Sequence, residues 1–127
     1  MKLLLDTHVL IWWFNDPSKL SPRASSLLRS PANSVLVSAA SAWELAIKVN
    51  LGKLDALPLV SELSRYTEEE GFTELPINLE HAVRAGLLPR YHRDPFDRLL
   101  VAQAQSLNIP ILSSDKVLDQ YDVKRLW

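Results

Sequence analysis

Five short apolar runs constrain the fold of this chain more than any other feature. They are "KLLLD" (2 to 6), "SVLVSA" (34 to 39), "FTELPI" (72 to 77), "IPILSS" (109 to 114) and "VKRLW" (123 to 127). The first two are apolar at successive rather than alternate positions, the pattern of a strand buried on both faces. Between the runs lie segments with helical spacing of apolar residues, at 7 to 14, 22 to 30, 40 to 51, 56 to 70, 79 to 87 and 95 to 107, with a short one after Asp115. Strands that alternate with helices pair in parallel and are covered on both sides, so the expected fold class is α/β. Turn residues punctuate the pattern: Asp16-Pro17 closes the first helix, Gly52 the third, Gly71 the long amphipathic one, and Asn108 with Pro110 the sixth.

At 127 residues, with neither a linker nor a low-complexity segment, the chain fits one domain spanning 1 to 127. It contains no cysteine, which excludes disulfides and thiolate metal sites and suits a reducing cytoplasm. The start, "MKLLLDTHVLIWWF", begins like a leader, but Asp6 and His8 interrupt it, so neither a leader nor a membrane span is expected. The net charge of −1 excludes a broad basic surface, so any contact with nucleic acid has to be local.

In an open parallel sheet, ligands bind beyond the carboxyl ends of the strands. Asp6 ends the first strand and Asp115 the fourth, Glu44 lies early in the helix after the second strand, and Asp97 heads the helix that leads into the fourth. Each has an ordinary structural explanation. Asp6 and Asp115 suit helix caps, "SAWE" (41 to 44) matches a capping box, and Asp97 sits in a first turn that welcomes negative charge. Caps need no common location, however, and these acids share one. Four crowded carboxylates repel and take up protons unless a cation lies among them. Oxygen ligands suit Mg2+ or Mn2+ rather than zinc, and a carboxylate-held ion of that kind activates water for phosphodiester hydrolysis. Lys48, Arg90, His92, Arg93 and Arg98 would form a short basic rim for phosphates. Asp94, ahead of Pro95, is expected to cap rather than ligate.

Four stretches, "LLLDTHVLIW", "VSAASAWELAIK", "DPFDRLLVAQA" and "PILSSD", in that order, resemble the PIN-domain family, and within it the VapC-like toxins of bacterial type II toxin-antitoxin pairs. The resemblance implies a three-layer α/β/α sandwich around a parallel sheet and an Mg2+- or Mn2+-dependent ribonuclease. It also implies a homodimer held in check by a cognate antitoxin. The family's acidic quartet falls on Asp6, Glu44, Asp97 and Asp115, and its small hydroxyl positions fall on Thr7 and Ser113. His8 stands where asparagine or a small residue is usual in the family, and serine at 113 where threonine is.

Consecutive Trp12, Trp13 and Phe14 suit either a helix buried within the chain or a surface for a second subunit. His81 is expected to face solvent, and His8 either to reach the site or to serve as a cap or core residue. A haloacid dehalogenase-type phosphatase needs a second aspartate at the position of His8. A receiver-like domain needs one at the end of the third strand, where "FTELPI" has none. The alternative from another class is a catalytically inert PIN-like module that binds RNA or protein, which an intact quartet disfavours.

Overall fold

A computed structural model describes residues 1 to 127. Its five strands are β1 (Lys2–Leu5), β2 (Ser34–Ser38), β3 (Thr73–Leu75), β4 (Ile111–Leu112) and β5 (Arg125–Leu126). They form one sheet in the order β3-β2-β1-β4-β5, and every pairing is parallel. Seven helices connect them: α1 (Thr7–Asn15), α2 (Pro22–Arg29), α3 (Ala39–Asn50), α4 (Leu57–Ser61), α5 (Leu63–Glu69), α6 (Leu79–Leu87) and α7 (Pro95–Leu107).

Successive side chains of β1 point to opposite faces, and each face has its own core. Leu3 and Leu5, with Val35, Val37 and Leu112, pack against Val9 and Leu10 of α1, Ala24 and Leu28 of α2, and Leu45 of α3. Leu4, Leu36 and Ile111 pack on the other face against Ala85 of α6 and Leu100, Val101 and Ala104 of α7. These are the three expected layers. The chain builds outward from β1 through β2 to β3, then crosses back to add β4 on the other side of β1. The strand order therefore reverses between β1 and β4, and the crevice at their carboxyl ends is where such a sheet binds ligands.

Two local expectations are corrected. The segment from 56 to 70 is not one helix, because the N–H of Glu62 bonds the carbonyl of Leu59 at 3.3 Å and tightens the chain there. The break lets Ala56, Leu59 and Leu63 pack together against Ile11, Phe14, Ala42 and Val49. His81 is buried, not solvent-facing. Its ring nitrogen accepts from the N–H of Asn78 at 3.3 Å, while its own N–H donates to the Asn78 side chain at 2.8 Å, a reciprocal cap at the start of α6. With His81 and Ala85 inward, Leu79, Val83 and Leu87 are left exposed on the outer face of α6.

The expected glycine and asparagine stops hold. Gly52, Gly71 and Asn108 all adopt positive φ, the left-handed conformation that ends helices. Trp12, Trp13 and Phe14 are half-buried against the core, with ring centroids 6.0 Å from Trp127, 6.0 Å from Phe72 and 5.9 Å from Tyr66 respectively. Most of that aromatic surface is used within the chain. No helix is long and apolar enough to cross a membrane.

Candidate active site

Asp6 occupies the N-cap position of α1 yet makes no side-chain capping bond. Its Oδ2 instead accepts from the Ser113 hydroxyl at 2.6 Å, while Oδ1 is buried without a partner. The same Ser113 oxygen accepts the N–H of Asp115 at 3.0 Å, so one buried hydroxyl ties the ends of β1 and β4 together. Burial pushes the Asp6 carboxyl above its usual range, against the opposing pull of Ser113 and His8.

The capping-box explanation of "SAWE" fails because the helix begins earlier than that motif requires. Ser38 is the N-cap of α3 and accepts from the N–H of Ala40 at 3.0 Å. Ser41 is free to meet Thr7, hydroxyl to hydroxyl, at 2.9 Å. Glu44 therefore lies in the second turn. Its Oε2 pairs with Lys48 Nζ at 3.0 Å, one helical turn on, and its Oε1 is buried and unpartnered.

Of the two aspartates at the start of α7, the first is the expected cap. Asp94 caps, accepting the N–H of Phe96 at 2.8 Å, and Asp97 Oδ2 lies 3.8 Å from His92 Nδ1. The Asp97 carboxyl is pushed up to about 8, by burial first and then by the charges of Asp6, Asp94, Glu44 and Asp115. Asp97 therefore shares one electrostatic neighbourhood with Asp6, Glu44 and Asp115 as well as with Asp94. Asp115 does two things at once. Its Oδ1 caps the 3-10 turn at Lys116–Gln120 through the N–H of Val117 at 3.0 Å, and its Oδ2 faces His92 Nε2 at 3.0 Å.

Oxygen donors predominate, two of them buried without partners, and the Asp97 carboxyl is pushed up to about 8 by burial and then by its neighbours' charge. A divalent cation fits such a site, because it satisfies the orphaned oxygens and removes the mutual repulsion.

The basic rim requires one correction. Arg98 is engaged within the chain, its guanidinium donating to the carbonyls of Gly86, Leu88, Pro89 and His92 at 2.9 to 3.4 Å. It holds the loop between α6 and α7. Lys48 is engaged by Glu44, whereas Arg90 and Arg93 are exposed and line, with Gly86, His92 and Arg98, a polar cavity of about 570 Å3. His8 is exposed.

Two features have only a weak signal in the sequence. Trp43, next to Glu44, is 59% exposed and stands edge-on to Phe96, next to Asp97, at 5.1 Å. His92 is a loop residue whose contact with Asp115 spans 23 positions, and no local periodicity announces it.

The PIN domain family profile matches residues 3 to 124. Ribonuclease VapC22 of Mycobacterium tuberculosis (strain ATCC 25618 / H37Rv) is 32% identical over 118 residues, covering 91% of this chain and 88% of that protein. Among solved structures, VapBC2 from Rickettsia felis, bound to a DNA fragment from its promoter, superposes with a TM-score of 0.68 at 12% identity, covering 99% of this chain and 98% of the other. A toxin-antitoxin complex from Klebsiella pneumoniae gives 0.64 at 18% identity, covering 98% and 96%. The acidic crevice at the strand reversal, the profile match over nearly the whole chain and the similarity to a curated ribonuclease lead to one conclusion: the chain belongs to the PIN-domain family, among its VapC-like toxin nucleases.

Proposed function

We propose that this protein is a metal-dependent endoribonuclease whose site is formed by Asp6, Glu44, Asp97 and Asp115. The observation that carries this reading is the pair of buried, unpartnered oxygens, Asp6 Oδ1 and Glu44 Oε1, beside a carboxyl pushed up to about 8 by burial and by its neighbours' charge. Mg2+ or Mn2+ bound by the quartet supplies the positive charge that activates water and stabilises the phosphate and the leaving oxygen.

The chain's own residues perform the remaining tasks. Ser113 fixes Asp6 by binding one oxygen and leaving the other free, and Lys48 does the same for Glu44. Thr7 and Ser41 join the starts of α1 and α3 and so hold Asp6 and Glu44 in fixed relation. Arg90 and Arg93 receive phosphates flanking the scissile one, and the exposed face of Trp43 offers a base a stacking surface beside the acids.

Asp6→Asn should fold normally and cleave no single-stranded RNA at saturating Mn2+. Cleavage retained by that variant would overturn the site. Wild-type cleavage that appears with Mn2+ and disappears with chelator separates the enzyme from an inert binding module.

The proposed partners are an antitoxin that masks the site or its rim and a second copy of the chain. Because Trp12 to Phe14 are engaged internally, the homodimer surface is assigned instead to α6, where Leu79, Val83 and Leu87 project outward. Glu80 and Arg84, paired on the same helix at 3.7 Å, give that face both signs of charge, so an antiparallel copy is self-complementary to it.

A further inference from the structure

We infer that His92 is a metal ligand, which makes the site a mixed nitrogen and oxygen one that selects transition-metal dications over Mg2+. The inference rests on the metal-dependent reading above and extends it to the identity of the ion. One ligand atom each from His92, Asp97 and Asp115 lies within 4.8 Å of the others. His92 Nε2 is 3.0 Å from Asp115 Oδ2, yet it is buried and makes no hydrogen bond. Two ligands in adjacent positions on an octahedral ion with bonds of about 2.1 Å stand about 3 Å apart. The 3.0 Å separation is one that two neighbouring ligands of a bound ion would have.

His92 is held at its ring and at both of its backbone polar groups. Tyr121 lies parallel to it, with an interplanar angle of 9°, and the Tyr121 hydroxyl accepts the His92 N–H at 2.8 Å. Arg98 holds the His92 carbonyl at 3.4 Å. A loop histidine anchored this firmly beside two carboxylates is part of the built site. Asp6 Oδ1 and Glu44 Oε1, buried and unpartnered, give the same neighbourhood further donors.

Chemistry then determines the class of ion. Imidazole nitrogen binds Mn2+ and the later divalent metals well and Mg2+ poorly, whereas carboxylate oxygen serves both. Mg2+ therefore gains little from His92, and Mn2+ gains a bond.

The test loads the full-length protein with Mn2+ and reads its ligands by pulsed electron paramagnetic resonance, with affinities measured by equilibrium dialysis. Wild type should show modulation from a directly bound 14N that disappears in His92→Ala and in His92→Gln. Mn2+ binding should weaken by about tenfold or more in both variants, while Mg2+ binding changes little. Bound Mn2+ without 14N modulation in the wild type overturns the inference and leaves the carboxylate site intact. Modulation that persists in His92→Ala also overturns it, by assigning the nitrogen elsewhere. Failure of the wild type to bind Mn2+ removes both this inference and the metal-dependent reading.

Discussion

Replacing Asp97 by its neutral isostere should stabilise the metal-free protein. In the unfolded chain the carboxyl ionises near 3.9, and in the fold it is held up to about 8, by burial and by the charges of Asp6, Asp94, Glu44 and Asp115. The folded state thus retains a proton that the unfolded state has released. Stability contributed by the position is unaffected below about pH 4, falls as the pH rises, and reaches its full penalty above about pH 8. At pH 7 the difference of about three units, at about 1.36 kcal/mol each, sets a ceiling of about 4 kcal/mol. The side chain is 21% exposed, and halving for solvent screening leaves about 2 kcal/mol. For a domain of this size that is about 8 °C in Tm.

Thermal and urea unfolding of the wild type and Asp97→Asn, in chelator and in Mn2+, measures this directly. In chelator the variant should be the more stable, by an amount that shrinks towards pH 4. In Mn2+ the wild type should gain on the order of 2.7 kcal/mol at a hundredfold excess over Kd, and the variant should lose most of that gain. A first-turn acid that merely complements the helix dipole behaves differently, costing about 0.3 to 1 kcal/mol on removal with or without metal. Equal destabilisation in both conditions would falsify the assignment of Asp97 to the site.

Arg98→Ala should destabilise the fold by about 2 kcal/mol, and Arg98→Lys should not restore it, because one ammonium cannot reach the carbonyls of Gly86, Leu88, Pro89 and His92 together. An unchanged urea midpoint in the alanine variant would refute this. Arg93→Ala should preserve stability while weakening RNA binding to the cleavage-dead Asp6→Asn protein and lowering its salt dependence by about one charge, and an unchanged salt slope would remove Arg93 from the rim. Val83→Glu should convert a dimer into a monomer in sedimentation at micromolar concentration. A wild type that sediments as a monomer would discard the α6 surface. Ser41→Ala should leave α3 intact, since Ser38 provides the cap and Ser41 bonds Thr7 instead, and a loss of helix content in circular dichroism would contradict that.

The sheet and its acids were legible because their signals are local. "KLLL" and "SVLV" announce strands buried on both faces, Asp94-Pro95 announces a helix start, and Gly52, Gly71 and Asn108 announce stops, each through backbone geometry spanning a few residues. The convergence of Asp6, Glu44, Asp97 and Asp115 could be read because the carboxyl ends of parallel strands all lie on one edge. Even the capping alternatives were decidable only in part: Asp94 caps, Asp115 caps while facing His92, and Asp6 does not cap at all.

What the sequence determined by itself was therefore the class of fold and the gathering of the four acids at one edge of the sheet. Tertiary structure alone decided which of the neighbouring polar groups are free to act. Arg98 and Arg93 look alike in the chain, yet one is consumed by four carbonyls and the other is exposed. His81 lies on a helix whose apolar residues are no guide to its buried side, because its Nδ1 meets Gln103 and the N–H of Asn78 inside while Leu79, Val83 and Leu87 face out. His92 acquires its place from Tyr121 and Asp115, more than twenty residues away. Backbone conformation is encoded within a turn or two of chain, whereas the partner of a buried charge or ring is set by which distant segments the closed sheet brings against it.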